Sequence, residues 1–335
     1  MADGGELKGY IVKPSSVQLL KKKILAVVVP SPQRTGEDYK YFTDSLLSKG
    51  CALFVYDNRR NQQVQPDFPI PSTKEMGISI PKHSYLDIAL DAAEIYRYLR
   101  ALPRLSKYKM GFVGHSEGGI SALAASCMVR PDFLVEIASV STEGWQLLYS
   151  QNIFLTPGKL ELLKQMFSLS ERELSLLVQK ASELIVRDSV DYQQFQQEMM
   201  ESINLSVGDQ HKKELLGYFI RAQWTLHNKH DMAMLGLRPL DYYRKVKCPI
   251  LFIACTKDEM TYALRDITTF EKLMYKTNKR FYSVCVNATH SFQKVPSYLM
   301  HHKLGDFKHD KDNSRDCERV SQVTDLIRSW INEIL

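Results

Sequence analysis

The chain has 335 residues, 44% of them hydrophobic, enough for a sizeable buried core and too apolar for a disordered polymer. Its formal charge of +6 is the balance of 44 basic and 38 acidic residues, too even for a nucleic-acid binder; the densest basic run, Lys21-Lys22-Lys23, stops before an apolar strand and reads as a solvated entry to it. No apolar stretch has membrane-spanning length, Met1 to Glu6 carry no signal pattern, and six cysteines without paired or metal-type spacing read as buried free thiols, so a soluble cytoplasmic protein is expected.

In chain order, Leu7 to Lys13 alternates enough to form a first strand, ended by Pro14. Ile24 to Val29 is a continuous aliphatic run, as expected of a strand buried on both faces of a parallel sheet, and Pro30-Ser31-Pro32 breaks it. A helix is predicted from about Glu37 to Lys49, closed by Gly50, then a second buried strand from Cys51 to Tyr56. Asn61 to Lys82 is rich in Pro, Gln and Ser and reads as an exposed loop. Ser84 and Asp87 open a helix with Ile88, Ala92, Ile95 and Leu99 on one face.

The next strand ends in Gly114-His115-Ser116-Glu117-Gly118-Gly119, followed by a run of small and aliphatic residues. Strand, Gly-x-Ser-x-Gly, helix is the pattern of a nucleophile elbow, in which a sharp turn lifts the serine hydroxyl clear of the backbone. The turn leaves room only for glycine at 114 and 118, and it aims the backbone N–H of Glu117 at negative charge developing beside Ser116. His115 reads as a packing residue. Phe133 to Val140 makes a further strand, and alternation of strands and helices in this order demands a parallel, doubly wound α/β sheet.

From Thr142 to Arg238 the rhythm breaks into almost wholly helical sequence, in which Ser170 and Glu173 form a capping box ahead of the apolar stripe Leu174, Leu177, Val178, Ala181 and Leu184. Three segments are therefore expected: 1–141 and 239–335 as two parts of one core, and 142–238 as a helical cap over the carboxyl ends of the strands, where ligands bind in such sheets. The sheet resumes at Pro249 to Cys255, ended by Lys257-Asp258-Glu259. A helix from about Tyr262 to Tyr275 leads to a last strand, Arg280 to Val286, and then Ala288-Thr289-His290. A helix carrying Val320, Val323, Ile327, Trp330 and Ile331 finishes the chain.

Ser116, Asp258 and His290 each follow a predicted strand, and in a parallel sheet those ends share one rim. A serine hydroxyl needs an imidazole to take its proton, and the imidazole needs a carboxylate to fix its tautomer and stabilise its charge. Glu259 is a rival acid beside Asp258. His301, His302, Asp306, His309 and Asp310 have irregular spacing in a charged stretch and read as a solvated loop; no metal and no cofactor is expected, and no phosphate or dinucleotide fingerprint occurs.

On Gly-His-Ser-Glu-Gly-Gly, Tyr56-Asp57-Asn58-Arg59, Val246-Lys247-Cys248-Pro249-Ile250, Lys257-Asp258 and Asn287-Ala288-Thr289-His290-Ser291-Phe292, the chain resembles the α/β-hydrolase superfamily. Within it, the likeness is to lid-bearing bacterial-type hydrolases related to dienelactone hydrolases and serine aminopeptidases. The resemblance spans nearly the whole chain and implies that Ser116 is the nucleophile, His290 the general base and Asp258 its orienting acid. It further implies a serine hydrolase cleaving a carboxylic ester, thioester or amide of a small acyl substrate. Two departures stand out: Arg60 replaces the usual glycine, and Pro30-Ser31-Pro32-Gln33 replaces the glycine-rich turn that supplies an oxyanion donor. Proline has no N–H, so one donor must come from Ser31 or Gln33 and the other from Glu117. A non-catalytic ligand-binding protein, and an acyltransferase or peptidase, are the alternatives on the same fold.

Overall fold

The structure, a computed structural model, describes residues 6–15, 22–31, 37–57, 63–64, 80–81, 83–154, 158–187, 189–204, 210–277, 279–292 and 316–335. Its strands are β1 (Gly9–Val12), β2 (Ile24–Val29), β3 (Ala52–Tyr56), β4 (Gln63–Val64), β5 (Ile80–Pro81), β6 (Lys109–His115), β7 (Leu134–Ile137), β8 (Ile250–Cys255) and β9 (Phe281–Val286). Seven of them form one sheet of order β1-β3-β2-β6-β7-β8-β9. All its pairings are parallel except that of β1 with β3. The sequence predicts β1 from Leu7 to Lys13; the paired stretch is shorter because this edge strand is matched only over the four register positions Gly9 to Val12.

By their contacts the residues fall into two units, one of 1–61, 85–142 and 239–335 and the other of 62–84 and 143–238. The first unit contains the sheet, with α1 (Lys40–Ser48), α2 (Tyr85–Ala101) and α3 (Glu117–Met128). On one face Phe42 and Leu46 of α1 join Ala26 and Val28 of β2, Leu53 and Val55 of β3, and the carboxyl-terminal residues Val323, Ile327, Trp330 and Ile331 in a single apolar core. Alternate residues of β2 point to the opposite side, where α2 and α3 pack against the strand and each other. This mostly parallel, doubly wound α/β arrangement is the one expected from the alternation of strands and helices in the sequence.

The second unit is built from α4 (Gly144–Tyr149), α5 (Lys159–Phe167), α6 (Glu171–Ile185), α7 (Tyr192–Asn204), α8 (Gln210–Trp224) and α9 (Lys229–Leu235), with β4 and β5 paired antiparallel. It has its own apolar core, centred on Leu174, Ala181, Leu184, Phe195, Met199 and Ile220. The helix α6 starts as its sequence dictates: Ser170 Oγ accepts from Glu173 N–H while the Glu173 carboxylate accepts from Ser170 N–H. The chain then returns to the first unit with α10 (Pro239–Lys245), α11 (Ala263–Thr277) and α12 (Cys317–Ile334).

Three further details depart from expectation. The segment 61–82, read as an exposed loop, supplies the paired strands β4 and β5; its remaining residues, 61–62, 65–79 and 82, lie outside the described residues. The strand predicted to reach Val140 stops at Ile137, because Ala138 adopts a left-handed φ of 47° that no strand can continue through. The cysteines are free, but Cys127 is only half-buried and Cys285 and Cys317 are exposed; Cys285 lies on β9, the edge strand, where the outward side of the pleat is less covered. Among the described residues no helix is long and apolar enough to cross a membrane.

β7 carries one charged residue into the core. Glu136 is 0% exposed, and its two carboxylate oxygens accept from the Tyr243 hydroxyl at 3.3 and 3.1 Å. Burial pushes its carboxyl up to about 8 from an ordinary 4.5, against the lowering effect of Tyr243. Between those two values the unfolded chain has released a proton that the folded chain still holds, so stability falls as pH rises through that window. Glu136→Gln keeps an acceptor for Tyr243 and removes the titration. Its denaturation midpoint should therefore vary less from pH 5 to pH 9 than the wild type's, with a relative gain of about 2–4 kcal/mol at the alkaline end. A mutant profile as steep as the parent's would assign the pH dependence elsewhere.

Candidate active site

Ser116 stands between the last residue of β6 and the first of α3, with φ 57° and ψ −131°. For a residue with a Cβ this is a strained conformation, costing about 1–3 kcal/mol. It persists because its neighbours hold it. The Ser31 hydroxyl, just beyond β2, donates to the carbonyl of His115 at 3.0 Å and accepts from the N–H of Gly118 at 3.1 Å, so one side chain braces the turn on both sides of Ser116. The N–H of Gly119 is taken by the Ser116 carbonyl at 2.9 Å.

Asp258 lies in the turn after β8 and is 0% exposed. Its Oδ1 accepts from the backbone N–H groups of Met260 and Thr261 at 2.7 and 2.8 Å, the aspartate turn geometry that fixes a carboxylate to its own loop. The loop itself is stitched to the end of β9 by Thr256 N–H to Val286 and Lys257 N–H to Ala288. His290 follows β9 and is 7% exposed. Its turn closes through Phe292 N–H to the Thr289 carbonyl, with the Phe292 ring buried in the core below.

These elements bring the three side chains together. His290 Nδ1 is 2.7 Å from Asp258 Oδ2, and His290 Nε2 is 2.9 Å from Ser116 Oγ. A nitrogen facing a carboxylate carries the proton, so Nδ1–H donates to Asp258 and the Nε2 lone pair receives the Ser116 hydroxyl. Chemically, this line can draw a proton from an alcohol onto an imidazole whose positive charge a carboxylate offsets.

Two further side chains reach His290; the sequence reading named Glu259 only as a rival acid to Asp258 and His115 only as a packing residue. The Glu259 carboxylate accepts from the His290 backbone N–H at 3.2 Å; it holds the main chain and not the ring. His115 Nε2 is 2.7 Å from the His290 carbonyl, an acceptor, so that nitrogen carries a hydrogen and donates it. Its ring also packs against those of His290, Tyr39 and Phe292, so His115 does more than fill space. The signals available were adjacency alone: Glu259 beside Asp258, and His115 beside Ser116.

The expected oxyanion donors fare differently. Ser31 N–H, expected to face a developing negative charge, donates instead to the Tyr39 hydroxyl at 3.1 Å, and that hydroxyl donates back to Ser31 Oγ at 3.1 Å. To serve an oxyanion it must first leave Tyr39. Glu117 is the first residue of α3, whereas Gln33 lies outside the described residues, as do Arg60 and the stretch holding His301, His302, Asp306, His309 and Asp310. Among the described residues no group of three or more His, Cys, Asp or Glu side chains is disposed to hold a metal ion.

No protein-family model matches the chain, and no curated protein does. Solved structures do resemble it. A 2,6-dihydroxy-pseudo-oxynicotine hydrolase is 13% identical with a TM-score of 0.49 over 98% of this chain, which spans 64% of that one. Est1E from Butyrivibrio proteoclasticus is 14% identical with a TM-score of 0.49, over 99% of this chain and 96% of its own. A dienelactone hydrolase from Anabaena variabilis is 12% identical with a TM-score of 0.46, over 98% and 93%. At these identities and scores, none of the likenesses assigns an activity.

Proposed function

We propose that the chain is a serine hydrolase that cleaves a carboxylic ester, with thioesters and amides as related substrates, through an acyl-enzyme intermediate. The observation that supports it is the hydrogen-bonded line from Ser116 through His290 to buried Asp258. In this reading His290 accepts the Ser116 proton as the hydroxyl attacks the acyl carbon. It then gives that proton to the leaving alcohol and activates water for the second step, while Asp258 holds its tautomer and offsets its charge. The Glu117 N–H is the elbow's oxyanion donor, and the second comes from Gln33 or from Ser31 once released from Tyr39. Esters come first because they are easier to cleave than amides, and an oxyanion hole lacking one donor loses about a hundred- to a thousand-fold in rate. In the same proposal, p-nitrophenyl esters of graded chain length should show one preferred length.

The deciding experiment is labelling with a fluorophosphonate, which forms a covalent bond only with an activated serine. The wild type should be labelled at a single site, with all labelling lost in Ser116→Ala. If well-folded wild-type protein takes up no label, the ligand-binding alternative replaces the hydrolase. That alternative draws on a specific observation, the engagement of Ser31 N–H by Tyr39. Product analysis with added alcohol or amine acceptors separates hydrolysis from acyl transfer.

A further inference from the structure

We propose that His115 and Glu259 are positioning residues that clamp the main chain of His290 from its two sides, an inference that rests on the hydrolase reading above. The Glu259 carboxylate accepts the His290 N–H at 3.2 Å, and His115 Nε2–H donates to the His290 carbonyl at 2.7 Å. Together they fix the peptide planes before and after the His290 Cα, and with them the direction in which its side chain leaves the backbone. Asp258 and Ser116 then set only the two side-chain torsions.

The turn needs such holding. Phe292, two residues on, has a left-handed φ of 55°, a conformation that a bulky residue enters at a cost. Its ring is buried, and two residues earlier the imidazole must still meet Ser116 Oγ. The clamp also joins the elements of the site. His115 is the residue before Ser116 and Glu259 the residue after Asp258, so any shift of the histidine turn is opposed by the same two loops that carry its partners. Because the elbow backbone at His115 is in turn held by Ser31 Oγ, the nucleophile and the base move as one body.

The test separates hydrogen bonding from packing. His115→Phe keeps an aromatic ring and removes the donor; His115→Gln keeps a donor at comparable reach. Glu259→Leu and Glu259→Gln make the matching pair for the acceptor. With the best p-nitrophenyl ester, His115→Phe and Glu259→Leu should each lower kcat about ten- to a hundred-fold, the scale on which small misplacements act. KM should stay within about twofold, and the Gln variants should recover most of the rate. A second readout needs no turnover: the proton shared by His290 Nδ1 and Asp258 should give a strongly deshielded imidazole N–H resonance in the wild type, broadened or lost in His115→Phe and restored in His115→Gln. Unchanged kcat and resonance in the Phe and Leu variants, or losses that Gln does not restore, would overturn the clamp. Absence of fluorophosphonate labelling in the wild type would remove the hydrolase reading alone, since the resonance still decides whether the clamp exists.

Discussion

Asp258→Asn should lower kcat about ten-thousand-fold while leaving the fold intact, the scale seen when a triad imidazole is held in the wrong tautomer. The direction follows from which oxygen does what. Asp258 Oδ1 faces two N–H donors, those of Met260 and Thr261, and Oδ2 faces His290 Nδ1. An asparagine has one oxygen and one NH2 to offer these positions. Two fixed backbone donors outweigh one ring, so the oxygen stays at the Oδ1 position and the NH2 meets His290. Nδ1 must then accept, its proton moves to Nε2, and Nε2–H points at Ser116 Oγ as a donor with no lone pair to take the hydroxyl proton. The backbone hydrogen bonds survive, so the thermal midpoint should stay within a few degrees of the parent's, and this distinguishes a lost tautomer from a lost loop. Ester turnover and fluorophosphonate labelling should fall together. A variant that retains turnover within tenfold of the wild type would rule out Asp258 as the group that fixes the His290 tautomer.

What could be read ahead of the structure divides along one physical line. The sheet was legible because burial on both faces selects Ile24 to Val29 and Ile250 to Cys255 so strongly that composition alone marks them. That Ser116, Asp258 and His290 would meet was legible for a related reason: each follows such a run, and parallel strands end on one rim. Their roles remain the proposal; their proximity is seen. The contacts that escaped all depend on where backbone atoms point. Nothing in His115 foretells that its ring nitrogen will meet a carbonyl at position 290, or in Ser31 that its N–H will turn to Tyr39. Likewise an alanine carries no mark of a left-handed φ, so the end of β7 at Ala138 was invisible. Side-chain type announces burial and chemistry; where a main-chain N–H or carbonyl points is decided by the assembled sheet.

The elbow's two glycines leave no room for a side chain, and Gly114→Ala or Gly118→Ala should each cost at least ~3 kcal/mol, at the upper end of overpacking penalties. A Cβ on Gly114 would stand 2.2 Å from the carbonyl oxygen of Gly118, and one on Gly118 would stand 2.4 Å from that of Val29. Both obstacles are backbone, one in α3 and the other in the interior strand β2, so neither can swing aside as a side chain could. Relief requires α3 to move away from the sheet. That movement stretches the Gly118 N–H to Ser31 Oγ bond and releases the strained Ser116 turn it braces, so labelling should fall with stability. Gly217, in α8 of the second unit, is the internal comparison: a Cβ there meets nothing within 4 Å. Gly217→Ala should instead gain about 0.5–1 kcal/mol from helix propensity, with labelling unchanged. Denaturant midpoints of the three variants test the account. If Gly114→Ala unfolds at the parent's midpoint, close approach of the backbones is not what holds the turn, and the strain at Ser116 must be offset by something other than the packing of α3 onto β2.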